Sequence, residues 1–174
     1  MIEKRLRNCC LLTSLVVACL FPGLAAGAEE AKGYRKVFDG WTLACSEAEP
    51  KAGSCQVIQA LDTKQESGAA KRLLQASVGR LEGGKLYLHL ILPFGLDLRP
   101  GAVVRVGEGE QVNIPFTTCL ANGCQAMVIM PDTLVYDFRN GAVASIGFRP
   151  WNSQETVQVK INLKGFSQAL TAMP

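Results

Sequence analysis

The sequence predicts an all-β protein, an antiparallel β-sandwich of about nine strands with one short helix, and three observations carry that prediction. Apolar and polar residues alternate with period two in one stretch after another, the pattern of strands with one face on a core and the other in water. Turn-forming residues punctuate the stretches at hairpin spacing. A single segment, Asp132 to Asn140, reads as helix, with Leu134, Val135 and Phe138 on one face, Asp132 placed to cap it and Gly141 to end it. Many short strands with almost no helix make a sandwich or a barrel, and one-sided alternation suits two sheets sharing a core.

In chain order, Trp41, Leu43 and Cys45 share the face of a first strand, and Cys55 to Leu61 and Leu73 to Leu81 follow. Gly83-Gly84 then turns the chain into a strand with Leu86, Leu88, Leu90 and Leu92 on one side and Lys85, Tyr87, His89 and Ile91 on the other. Val103 to Val106 precedes the Gly107-Glu108-Gly109 turn. Val112, Ile114 and Phe116 come next, alternating with Gln111, Asn113 and Pro115; the proline predicts an edge position, because it has no N–H for a ladder. Asn122-Gly123 marks a hairpin before Cys124 to Met130. Beyond the helix lie Ala142 to Phe148 and a last strand, Val157, Val159, Ile161 and Leu163 opposite Thr156, Gln158, Lys160 and Asn162.

Composition narrows the function classes. The chain has 174 residues, 48% of them hydrophobic, and 18 Lys+Arg against 15 Asp+Glu give a formal charge of +3. Such a chain is not intrinsically disordered. It also lacks the basic excess that would neutralise many phosphates, so nucleic acid is not an expected partner.

Residues 1–28 read as a signal peptide and residues 29–174 as one β-sandwich domain. Lys4, Arg5 and Arg7 form a basic start, an apolar run extends from Cys9 to Leu24, and Ala26-Gly27-Ala28 is an A-x-A cleavage site. Val16-Val17-Ala18-Cys19 resembles a lipobox, which would make Cys19 a lipidated terminus, but the apolar Leu20-Phe21 after it are unlike a polar tether. Cleavage after Ala28 leaves 146 residues with 15 basic against 14 acidic, no transmembrane segment, and a polar lead-in over residues 28–36. The expected location is the periplasm, or beyond it at the outer surface or secreted.

Four cysteines remain after cleavage: Cys45, Cys55, Cys119 and Cys124. An even number in an exported chain predicts two disulfides. Three pairings exist, and the short separations favour Cys45 with Cys55 and Cys119 with Cys124. A four-thiolate zinc site fits poorly, because nine residues separate the first pair.

Nothing in the sequence marks a catalytic, cofactor or metal site. His89 is the single histidine, and it falls mid-strand beside Tyr87. The nucleophile-elbow, zinc-helix and phosphate-loop motifs are missing. Glu108 and Glu110 fall in a turn, where carboxylates are solvated. Trp41 reads as core, whereas Trp151, after Pro150, is the better candidate for exposure.

The stretch Leu92 to Gly101 admits two readings. Phe94, Leu96 and Leu98 lie among Pro93, Gly95, Pro100 and Gly101 and could form an apolar partner-binding loop. Alternatively the stretch is a corner between the sheets, with those three side chains closing the end of the core; the expected cost of exposing an apolar patch favours the corner.

Taken together, several motifs resemble the invasion-associated locus B family of exported bacterial proteins. They are Gly40-Trp41-Thr42-Leu43-Ala44-Cys45 with Cys55; Leu92-Pro93-Phe94-Gly95-Leu96-Asp97-Leu98-Arg99-Pro100-Gly101; Phe116-Thr117-Thr118-Cys119 with Gly123-Cys124-Gln125-Ala126; and Leu163-Lys164-Gly165-Phe166-Ser167-Gln168-Ala169-Leu170, with Asn162 in place of the family's serine. The resemblance implies an immunoglobulin-like sandwich and brings no catalytic residues with it. The expected function is that of a non-catalytic envelope or secreted protein that acts by binding an envelope or host protein, with a role in host-cell interaction as one possible setting. The alternative is a periplasmic accessory or folding factor that offers an edge strand to other envelope proteins.

Overall fold

Alternating side chains become alternating burial. In the computed structural model, which describes residues 33–64 and 70–174, strand β2 (Trp41–Cys45) buries Trp41, Leu43 and Cys45 and leaves Thr42 and Ala44 partly open. The leader read over residues 1–28, including Cys19, lies outside the described residues.

Among the described residues, eleven strands form two antiparallel sheets. The larger contains β1 (Arg35–Phe38), β2, β3 (Cys55–Lys64), β4 (Ala70–Arg80) and β5 (Leu86–Leu92) as successive neighbours, then β9 (Gly123–Ile129) and, at its edge, β8 (Phe116–Leu120). The smaller has the order β11 (Val157–Asn162), β10 (Val143–Phe148), β6 (Ala102–Val106), β7 (Val112–Ile114). Leu43, Val57, Val78, Leu88 and Leu90 from the first sheet join Val104, Ile114, Ile146 and Ile161 from the second in one buried cluster. The sandwich expected from one-sided alternation is therefore the arrangement observed.

Two helices close one end of the core. Helix α1 (Asp132–Asn140) buries Leu134 and Phe138, and α2 (Phe166–Thr171) buries Phe166, Ala169 and Leu170. The Phe166 ring lies 5.0 Å from Trp41 and 5.3 Å from Phe138, edge to face in both pairs. Gly165 enters α2 with φ +88°, and a Cβ there would collide with the Phe38 carbonyl, so both backbone angle and space call for glycine.

Several elements differ from expectation. The stretch Val112 to Phe116 is two strands: Pro115 interrupts it, β7 stays in the small sheet, and β8 crosses to the large one. Both lie at sheet edges, where a missing N–H is tolerated. The lead-in contributes β1, whose alternation is too short and polar to register as a strand, and which forms by pairing with β2. Asp132 does not cap α1. The capping position belongs to Pro131, and Asp132 sits in the first turn, where its charge meets the positive end of the helix dipole. Helix α2 spans only six residues, less than two turns, and gives no readable period.

Candidate partner-binding loop

The segment joining β5 to β6 carries the chain from one sheet to the other. Gly101 has φ +77°, and a Cβ on it would stand 2.9 Å from the Ile114 carbonyl oxygen, so no other residue fits that corner without strain. Upstream, the segment runs antiparallel to Arg149–Trp151. Asp97 N–H donates to Arg149 O at 2.9 Å, Trp151 N–H donates to Gly95 O at 2.8 Å, and Leu96 bridges Pro150.

A buried carboxylate locks this pairing. Asp97 is only 4% exposed. Its Oδ1 accepts from Arg99 Nε at 2.8 Å and from the Arg99 backbone N–H at 3.2 Å, while Oδ2 accepts from Arg99 Nη2 at 3.0 Å and Arg149 Nη2 at 2.6 Å. The bidentate fork from Arg99, supported by Arg149, holds the Asp97 carboxyl far below the usual carboxylate range, and Asp97 in turn raises the Arg99 guanidinium.

Asp97 is the buried side chain of the segment, and the apolar ones around it are not drawn in with it. Leu98, beside it, is 40% exposed, and Phe94, before the left-handed bend at Gly95, is 61% exposed. Of the three residues expected to close the core, only Leu96 packs against it, half-buried. Phe94 and Leu98 overturn the corner reading as far as burial goes, although the segment does join the two sheets. Trp151, tied to the same segment, is 60% exposed, and the Arg99 guanidinium lies 5.6 Å from its ring centre.

The other singled-out residues lie elsewhere. Cys45 faces Cys55 across β2 and β3, and Cys119 faces Cys124 across β8 and β9; each pair is disulfide-bonded, with Cα separations of 4.0 and 3.9 Å. His89, on the outer face of β5, meets Gln125 Oε1 at 3.2 Å. Glu108 and Glu110 are solvated in their turn, and Trp41 is fully buried. No helix among the described residues is long and apolar enough to cross a membrane. Sequence reasoning missed Asp97 and Arg149 as a pair. The available signal was an acid set between two leucines in an apolar stretch and followed by an arginine.

Residues 41–174 match the family model described as invasion associated locus B (IalB) protein. An invasion protein B homologue of Brucella abortus (strain 2308) is 30% identical over 140 residues, covering 80% of this chain and 79% of the relative. A homologue from Brucella abortus biovar 1 (strain 9-941) matches equally. The crystal structure of invasion associated protein B from Bartonella henselae superimposes with a TM-score of 0.66 at 18% identity, over 79% of this chain and 94% of that one.

Proposed function

The chain belongs to the invasion associated locus B protein family, and on that footing we propose that it is an exported, non-catalytic binding protein whose contact surface is the Leu92–Gly101 loop together with Trp151. Its partner is an envelope or host protein. One observation carries the reading: Phe94, Leu98 and Trp151 stand in solvent on a segment that Asp97, Arg99 and Arg149 hold rigid. Aromatic side chains fixed before binding lose little entropy when a partner covers them, and such residues dominate interface energetics. Two disulfides suit an oxidising compartment, and a signal peptide over residues 1–28 would direct the chain there before being cleaved.

The test is cross-linking in intact cells followed by affinity capture with wild type and a Phe94→Ser/Trp151→Ser double variant. Capture of the partner should fall at least tenfold while the melting temperature changes little. Unchanged capture would rule the loop out as the contact surface.

A second reading has its own observation. Strand β8 ends the large sheet, and Thr117 to Leu120 are exposed along it, so an extended partner segment could add to this edge. In that case Thr118→Pro, and not the loop variant, would abolish capture.

A further inference from the structure

A separate site lies between the β4–β5 turn and the start of α1. The turn is closed by Leu81 N–H on Lys85 O at 2.8 Å and Gly84 N–H on Leu81 O at 3.0 Å. Beside it opens a cleft of about 600 Å³, within the usual range of small-ligand sites of about 300–1,000 Å³. Leu86, Met130 and Val135 form its apolar wall, and Arg80, Lys85 and Asp132 are its charged groups.

Arg80 is the unusual member. Its Nε is sealed from solvent without a hydrogen-bond partner, its Nη1 reaches only the Gly84 carbonyl at 3.5 Å, and among the described residues it joins no ion pair. A sealed guanidinium N–H without an acceptor is a cost to the folded state, while the rest of the head group stays open to the cleft, where an anion can reach it. Asp132 does not supply that anion, since it lines the same cleft without forming an ion pair with Arg80. Two positive groups and one negative leave a single positive charge in the cleft, which matches a monoanion. The apolar wall gives no purchase to an inorganic ion, but it suits a hydrocarbon chain attached to that anion.

We propose that this cleft binds a medium-chain carboxylate, with the carboxylate on Arg80 and Lys85 and the chain along Leu86, Met130 and Val135. The proposal is independent of the loop, and loss of one site leaves the other intact.

Calorimetric titration of the protein purified from its own cells, using octanoate, octanol and inorganic phosphate as probes, tests it. Octanoate should bind one to one, with octanol and phosphate each at least tenfold weaker. Arg80→Gln should weaken octanoate at least tenfold, and Arg80→Lys should recover part of the loss. Should Arg80→Gln fail to fold, Lys85→Gln and Val135→Asp provide the same contrast from the two halves of the cleft, each weakening octanoate. Equal binding of octanol, absence of saturable octanoate binding, or octanoate affinity indifferent to these substitutions would overturn the proposal.

Discussion

The side-chain amide of Gln59 takes both backbone groups of Asn162. Its Oε1 accepts from Asn162 N–H at 3.0 Å and its Nε2 donates to Asn162 O at 2.9 Å, so one glutamine on β3 pairs with β11 as a neighbouring strand would. Nε2 also donates to Gly40 O at 3.1 Å, and the Trp41 indole N–H donates to the same Asn162 oxygen at 2.9 Å. Gln59 is 5% exposed, so these bonds join the two sheets out of water. Asn162 contributes here through its backbone. Its side-chain Oδ1 accepts from Lys164 N–H at 2.9 Å, a local bond that a serine hydroxyl could also make.

Gln59→Leu is therefore expected to destabilise the fold despite its apolar gain. It removes the acceptor of the part-buried Asn162 N–H, and a donor left unsatisfied costs up to about 1–3 kcal/mol. A urea titration should show a lower midpoint at unchanged slope. An unaltered midpoint would mean that water replaces the amide.

Gly101→Ala should cost about 1–2 kcal/mol, the penalty of a left-handed backbone for a residue with a Cβ, with the close approach to the Ile114 carbonyl added to it. By contrast, Phe94→Ala should stay within about 0.5 kcal/mol of wild type, as exposed positions do. Thermal unfolding of the two variants side by side distinguishes the framed corner from the side chain it displays.

Leu96→Ala falls between them. A fully buried leucine contributes about 1.5–3 kcal/mol, and Leu96 is half-buried against the core, so a loss of about 1 kcal/mol is expected in chemical denaturation. A loss in the range of full core truncations would restore Leu96 to the interior.

Asp97 sets an acid limit. Its carboxyl lies below its ordinary value of 3.8 in the folded protein, so the stability it contributes is fully present above that value and disappears as pH falls through the folded one. Asp97 should add no pH dependence to stability between pH 7 and pH 5, where its contribution is fully present, and a decline should set in below about pH 4. Asp97→Asn should lower the melting temperature at pH 7 and flatten that acid decline. A variant with the same acid profile as wild type would place the titrating group elsewhere.

Non-reducing peptide maps should recover Cys45 joined to Cys55 and Cys119 joined to Cys124. Replacing either pair by serine should cost about 2–3 kcal/mol, the chain-entropy expectation for loops of this size. Cross-linked peptides between the two pairs would contradict the observed register.

What was legible in the sequence is what neighbouring residues decide together. Alternation at Leu86 to Leu92 and at Val157 to Leu163 specifies which face is apolar, because successive side chains of a strand point opposite ways whatever the strand pairs with. The Asn122-Gly123 signal and the spacing of Cys119 and Cys124 describe one hairpin for the same local reason. Motif order from Gly40 to Leu170 was enough to indicate the family, which the match over residues 41–174 shows. Tertiary structure alone decided the rest. Pro115 could not be read as the point where the chain changes sheets, since that depends on which edges the two halves find. Asp97 is buried where it meets Arg149, 52 residues away, while Phe94 and Leu98 stay exposed, and Gln59 ties the two sheets together by meeting Asn162, 103 residues away. Periodicity reports a side chain's preference for water or core, but a buried polar group is placed by its partner, and no local pattern names a partner brought near only by folding.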